Sequence, residues 1–302
     1  MNLILHKLSA LKKKYAVLQE ALNHYLSVNA STLAASLAYY TLFSLAPLLI
    51  ITVAILGFVY GKEAAEGQII GHLSEYIGPR TAHFLQQLIL RSFTPGSGII
   101  ATVISGAILI YGASTIFYQL RFSLNKIWDV KQKNKLTPVE WIKMMALPSL
   151  LVIMSGVVLL ASTIVSAIIQ TLALKIDNMI HGSFIILQTA SFFIDLGITT
   201  VIFALLFKYV SSAIVAWRVV WVGALFTASL FSLLRIFLVF YFSRAAHVSI
   251  YGAAASLVIL LLWLNYTSQV IFLGAEFIRM YSLQIKSPIL PSSYANYARC
   301  SK

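Results

Sequence analysis

The sequence predicts an all-α polytopic membrane protein with six transmembrane helices and both termini in the cytoplasm. Its composition gives the class: of 302 residues, 60% are hydrophobic and only 10% are charged, whereas a soluble globular chain has roughly 25% charged residues. A water-soluble fold could not bury this much apolar surface, because even large domains keep a polar exterior. Lipid is therefore the solvent predicted for most of the chain.

Six stretches are long and apolar enough to cross the bilayer core, which needs about 20 apolar residues of helix. They are residues 33–60, 98–118, 140–170, 184–207, 218–242 and 250–279. Strands of a membrane barrel would alternate apolar and polar residues over about ten positions, so these continuous runs predict helices. Most of the 22 Lys and Arg residues fall on one side of the spans. The positive-inside rule assigns that side to the cytoplasm.

Three segments flank or interrupt this membrane domain, which is predicted over 31–282. Residues 1–30 have a basic, amphipathic pattern that fits either a helix on the inner leaflet or a helix docked on the bundle. Residues 61–97 mix charges with apolar residues at helical spacing and predict an external helical cap, whose second helix begins at Pro79 because proline suits a first turn. Residues 283–302 are predicted to be a disordered cytoplasmic tail.

The formal charge of +13 raises the question of partners. In a soluble protein it would suggest nucleic acid, but the positive-inside rule accounts for it here, and no basic stripe with interleaved aromatics accompanies it. The predicted partners are the lipid bilayer and anionic lipids at the inner leaflet, with no nucleic acid. One cysteine, Cys300, excludes an internal disulfide.

The sequence offers little support for catalysis or for a cofactor. Four histidines fall on the predicted outer side but lack the HxxxH or HExxH spacing of a metal site; they are His72, His83, His181 and His247. Walker and GxSxG motifs are absent from the sequence. We therefore predict no enzyme activity, no catalytic residue, no metal and no cofactor.

Two charged residues lie inside predicted spans. Asp195 is midway in the fourth span and Arg235 is in the fifth. A carboxylate at the bilayer centre costs roughly 2.5–3.5 kcal/mol even on the lenient insertion scale. The depths of the two residues, counted from the outer helix ends, differ by about 6 Å, so we predict that they pair. A structural clamp and a site for a charged substrate both fit such a pair.

Other polar or irregular positions complete the candidate substrate path. Pro47 interrupts the first span close to Tyr39 and Tyr40, and Pro148 interrupts the third. Each proline is compatible with a simple kink or with the broken helix common in transporters. Asn265 and Gln269, one turn apart in the sixth span, are typical of hydrogen bonding between helices.

Glu276 stands near the end of the sixth span. It lies about 38 Å of helix beyond Tyr251, which predicts a position at the cytoplasmic end rather than at the midplane. The cations predicted at this depth are Arg279, Arg218, Arg121 and Lys126. We predict that one of them pairs with Glu276. The polar and charged residues predicted at a cytoplasmic mouth are Arg121, Asn125, Lys126 and Glu276.

Three stretches resemble the signatures of the YihY/BrkB family of bacterial inner-membrane proteins. They read "AASLAYYTLFSLAPLLIITVAILG" over 34–57, "LRFSLNKIWDV" over 120–130 and "YGAAASLVILLLWLNYTSQVIFLGAEF" over 251–277. The matching positions are Tyr39, Pro47, Arg121, Asn125, Trp128, Tyr251, Gly252, Trp263, Gly274, Ala275 and Glu276. The resemblance implies six spans and an envelope role but carries over no catalytic residue. A ribonuclease label once used for the family has no counterpart in this chain, which lacks the metal-binding domain that such hydrolysis needs.

The hydropathy pattern predicts a multi-pass membrane protein, and the resemblance implies that its location is the bacterial inner (plasma) membrane. The function expected is that of a transporter or exporter of a lipid-like or small anionic substrate. A non-transporting scaffold for envelope assembly or integrity is the alternative. The two differ in whether substrate crosses the bilayer.

Overall fold

Long helices make up most of the described chain. The structure, a computed structural model, describes residues 19–60, 79–92, 115–133, 183–245 and 254–298, with single residues at 67, 70, 71, 74, 111 and 137. Its helices are α1 over 19–27, α2 Ala30–Tyr60, α3 Pro79–Ser92, α4 over 115–127, α5 Ser183–Tyr209, α6 Trp217–Ala245 and α7 Ala254–Gln284.

Three of these helices are long and apolar enough to cross a membrane. The segments are Thr189–Tyr209 in α5, Trp217–Tyr241 in α6 and Ser256–Gln284 in α7. They coincide with the last three predicted spans, although α7 continues past the predicted end. Helix α2 contains the predicted first span. The 140–170 span, Pro148 and most of the 98–118 span lie outside the described residues.

Apolar side chains cover the outer surface of these helices. On α6, Leu233, Ile236 and Phe237 are each 62–64% exposed. Such a surface is favourable in lipid, where helices satisfy their backbone groups internally. The exposed apolar faces therefore agree with the membrane class.

Two of the prolines that were considered from the sequence, Pro79 and Pro47, lie within the described residues. Helix α3 begins at Pro79 as predicted. Helix α2 runs through Pro47 without an unwound turn, so the broken-helix alternative is wrong for Pro47. Unwinding would leave several backbone groups unpaired in lipid, whereas proline removes a single helical hydrogen bond.

A turn that the sequence did not predict separates α1 from α2. Asn29 has a φ of 55°, the left-handed conformation that asparagine tolerates. Its carbonyl oxygen accepts hydrogen bonds from the N–H groups of Thr32 and Leu33, at 3.0 and 3.3 Å. With the Asn29 N–H, which donates to Leu26 O at 3.1 Å, these bonds define the turn.

The chain divides into two compact units. The first comprises residues 1–24, 125–230 and 273–302, and the second comprises 25–124 and 231–272. In the second unit, α2 packs on α3, and small and branched side chains form the core: Ala38, Ile70, Ala82, Leu85, Leu260 and Leu264. Ser44 and Thr115 also approach each other there, with their hydroxyl oxygens 3.4 Å apart.

Two short antiparallel ribbons characterise the first unit. Strand β1 (Val130–Gln132) pairs with β4 (Ala295–Tyr297), and β2 (Ala213–Ile214) pairs with β3 (Leu290–Pro291). Ser292 N–H donates to Ser212 O at 3.0 Å and extends the second ribbon.

The disordered tail predicted over 283–302 is therefore wrong as far as residue 298, and 299–302 lie outside the described residues. Helix α7 ends in a Schellman motif, in which Lys286 has a φ of 56° and Ser287 N–H donates to Ser282 O at 2.9 Å. The tail then supplies both β3 and β4. Strands of two or three residues have no periodicity that a sequence can reveal, because backbone pairing with distant segments creates them.

Candidate functional site

A buried polar cluster lies where α1, α4 and α7 meet in the first unit. Glu276 on α7 is fully buried. The His24 Nδ1 atom lies 2.9 Å from its Oε1 and 2.8 Å from its Oε2. Arg279, one turn further along α7, hydrogen-bonds the other ring nitrogen of His24 and the Asp129 carboxylate. We call His24, Glu276, Arg279 and Asp129 the Glu276 cluster.

His24 lies between Glu276 and Arg279. Its Nδ1 atom contacts both carboxyl oxygens of Glu276 and lies 3.2 Å from Arg279 Nη1, which also contacts its Nε2 atom. A guanidinium has donors only, so His24 accepts from Arg279. Arg279 is the cation of the cluster, and it reaches Glu276 through His24.

Backbone contacts hold the turn after α4 against this cluster. Arg279 also donates to Ile127 O at 2.8 Å. Trp128 is buried, and its indole N–H donates to Ala275 O at 3.0 Å. Asp129 adopts a φ of 53°, and its carbonyl oxygen accepts from Ala298 N–H at 2.8 Å. The turn, α7 and the tail are therefore mutually fixed.

Asn125 makes a second buried clamp, on the segment between α5 and α6. Its Oδ1 accepts from Ser212 N–H at 2.8 Å, and its Nδ2 donates to Ser212 Oγ at 3.2 Å. Both side chains are buried. The paired bonds hold Ser212 beside α4, directly before β2.

We expect Asn125→Ala to lower the free energy of unfolding by about 1–3 kcal/mol, because it leaves the buried Ser212 N–H without its acceptor. Lys126→Ala, at the neighbouring exposed position, is the matched control and should stay within about 0.5 kcal/mol of wild type. Titration of the detergent-solubilised protein with a denaturing detergent measures both. Equal stability of the two variants would contradict the clamp.

The four residues predicted to form a cytoplasmic mouth differ in their burial. Glu276 and Asn125 are buried in hydrogen-bonded clusters, Arg121 is partly buried, and Lys126 is exposed. Among the cations predicted to pair with Glu276, Arg279 does belong to its cluster, but it acts through His24. The first two residues are therefore positioned to hold elements together rather than to face a water-filled opening.

The substrate-path candidates lie on several helices. Asp195 on α5 and Arg235 on α6 are both partly buried within apolar spans, and their pairing stays a prediction. Gln269 Nε2 donates to Asn265 Oδ1 at 2.6 Å along α7 itself, and the predicted bonding of these residues to other helices stays a prediction.

Tyr39 and Tyr40 are both exposed on α2. The Tyr39 ring lies 4.8 Å from that of Phe43 and 5.6 Å from that of Tyr40, measured between centroids. This exposed aromatic group belongs to the outer surface of the second unit, as the structure describes it. Of the four histidines considered for a metal, only His83 lies within the described residues, where it is exposed and hydrogen-bonds Gln86.

Sequence reasoning missed His24 and Asp129. His24 lies within the amphipathic stripe of residues 1–30, and a titratable side chain beside the apolar positions of such a stripe was the available signal. Asp129 lies inside the stretch "LRFSLNKIWDV". No sequence spacing indicates the contact between His24 and Glu276, because these residues are 252 positions apart in the chain.

The described helices and the buried cluster define an α-helical membrane protein that satisfies charged groups inside the protein. The chain belongs to the virulence factor BrkB family, whose model matches residues 21–294. The resemblance to the YihY/BrkB signatures is thus confirmed.

Curated relatives carry the name UPF0761 membrane protein. One from Pseudoalteromonas translucida (strain TAC 125) is 30% identical over 80% of this chain and 77% of its own length. One from Tolumonas auensis is 26% identical over 81% and 78%, and one from Teredinibacter turnerae is 25% identical over 82% and 55%. The chain thus spans little more than half of some relatives. No solved structure matches the chain.

Proposed function

We propose that this protein is a multi-pass protein of the bacterial inner membrane that moves a lipid-like or small anionic substrate. It has six spans with both termini in the cytoplasm, and anionic lipids of the inner leaflet surround its basic end. The proposal includes no enzymatic step, no cofactor and no nucleic-acid partner. The similarity to bacterial membrane proteins supports the proposed location in a bacterial membrane.

Contacts between distant segments support the proposed orientation. The segments assigned to the cytoplasm after α4, between α5 and α6, and after α7 are joined to one another by the two ribbons. The Glu276 cluster joins His24, near the amino terminus, to the same end. Segments that lie together at one end of a set of membrane helices occupy one side of the bilayer, as the proposal requires.

Two charged residues inside apolar spans carry the transport proposal. Asp195 lies within Thr189–Tyr209 and Arg235 within Trp217–Tyr241. Each costs free energy in lipid, and such residues in membrane helices mark substrate or ion pathways. The Arg235 guanidinium provides a cationic group with which an anionic headgroup or solute can interact.

Flux through reconstituted vesicles tests this proposal. We expect the wild-type protein to accelerate the transbilayer movement of a fluorescent phosphatidylglycerol analogue, or the release of an entrapped small organic anion. Asp195→Asn and Arg235→Gln should each lower that rate while the purified variants keep their thermal stability. Ser229→Ala, which removes an exposed polar group from α6, is the matched control and should transport like wild type.

A scaffold for envelope assembly or integrity is the second candidate. The closed Glu276 cluster favours it, because that cluster ties helices and tail together without an exposed carboxylate at Glu276. Wild-type vesicles that move neither probe, together with Asp195→Asn acting on stability alone, would support the scaffold and overturn the transport proposal.

A further inference from the structure

We propose that the surface around the β2–β3 ribbon docks the headgroups of anionic phospholipids in the leaflet that surrounds it. We call this surface the ribbon patch and define it by Lys208, Ile214, Trp217, Arg218, Trp221 and Leu290. This docking rests on the anionic-lipid partner in the proposed function and not on a transported substrate.

An exposed apolar pair forms one part of the ribbon patch. Ile214 and Leu290 are register partners on the two strands, and their side chains are 52% and 48% exposed. Both belong to the first unit. Exposed apolar surface that is continuous with other apolar groups marks a contact with lipid or with a partner.

The position of the ribbon along the chain decides between those two occupants. The α5 span ends at Tyr209 and the α6 span begins at Trp217. Ile214 is three residues from Trp217, which limits its distance from the start of the span to about 10 Å of extended chain. The headgroup layer lies within such a distance of the hydrocarbon. The ribbon therefore lies at headgroup level.

Aromatic rings connect the ribbon to the lipid-facing surface of α6. The Trp217 ring lies 6.1 Å from that of Tyr209 and 6.2 Å from that of Trp221, between centroids. Trp217 and Trp221 are 41% and 45% exposed. Trp and Tyr are enriched at membrane–water interfaces, where an apolar ring and a polar N–H or O–H are both satisfied. This continuity favours lipid over a protein partner.

Two cations give the patch its preference for negative charge. The Lys208 ammonium lies 5.4 Å from the centre of the Trp217 ring and donates to Val215 O at 2.6 Å. Arg218 is exposed in the first turn of α6. Guanidinium groups bind phosphate oxygens in a bidentate geometry. A lipid phosphate beside Arg218 would place its acyl chains along the exposed face of α6.

Depth-dependent quenching tests the docking of the ribbon. The Cys300→Ser/Ile214→Cys variant carries an environment-sensitive fluorescent label at position 214. This labelled protein is reconstituted into nanodiscs whose lipids carry a nitroxide on the headgroup. We expect strong quenching by the nitroxide lipid and weak quenching by aqueous iodide. Asn296→Cys, exposed on the other ribbon, should show the reverse pattern. Leu290→Cys repeats the measurement if Ile214→Cys does not fold.

Lipid-dependent melting tests the charge preference. Phosphatidylglycerol should raise the melting temperature of the wild-type protein above its value in phosphatidylcholine. Arg218→Gln should reduce this increment, since one cation at an anionic surface is worth about fivefold in binding. Lys131→Gln, exposed on β1, should keep it.

Two results would overturn the proposal. One is an aqueous environment for the labels at both 214 and 290, which would leave the patch to a protein partner. The other is an equal phosphatidylglycerol increment in wild type and Arg218→Gln.

Discussion

Replacement of Arg279 by glutamine should destabilise the protein by about 3 kcal/mol, because a hydrogen bond that involves a charged group contributes about 1.5–3 kcal/mol and this side chain makes several. Glu276 is fully buried, and Arg279 is the cation that reaches it through His24. The substitution also removes the donors to Ile127 O and the Asp129 carboxylate. The free energy of unfolding in mixed detergent micelles measures the loss.

Lys131→Gln is the matched control, because it removes one positive charge from an exposed strand position. It should stay within about 0.5 kcal/mol of wild type. The Glu276→Gln/Arg279→Gln double variant should be less destabilised than the sum of the single variants, with a coupling of about 0.5–3 kcal/mol. An Arg279→Gln variant as stable as the control would show that the cluster does not hold α7 to the turn after α4.

Gly274→Val should be the second strongly destabilising substitution. A Cβ added at Gly274 would overlap the side chain of Thr227 on α6. Thr227 is fully buried, and its hydroxyl donates to Gly223 O at 2.7 Å, so a movement away from the added Cβ would break this bond or displace packed neighbours. Overpacking of this kind costs roughly 1–3 kcal/mol and occasionally more. The melting temperature of the purified Gly274→Val protein should fall accordingly.

Gly197→Val provides the control for glycine replacement in a membrane helix. A Cβ at Gly197 meets nothing within 4 Å, so this variant should melt close to the wild-type temperature. Thr227→Ala should restore part of the stability of Gly274→Ala by removing the overlapping atoms. If Gly274→Val and Gly197→Val melt alike, the close approach of α6 and α7 at this position is wrong.

The candidate site was only partly predictable. Glu276 could be identified from the sequence because a carboxylate in an apolar run has a high free energy in lipid. The helical spacing also placed Arg279 one turn away from it. His24 and Asp129 complete the cluster from segments far away in the sequence. No periodic pattern encodes such a contact, because it depends on how helices pack and not on the spacing within any one of them.

The sequence alone determined the class, the extents of α5 and α6 and the start of α3. Continuous apolar runs and a proline act locally, through the free energy of transfer to lipid and the fixed φ of the ring. The tertiary structure alone decided the two ribbons built from the tail and the partner of Glu276. Those features depend on hydrogen bonds between distant segments, and such bonds form only after the chain has brought the segments together.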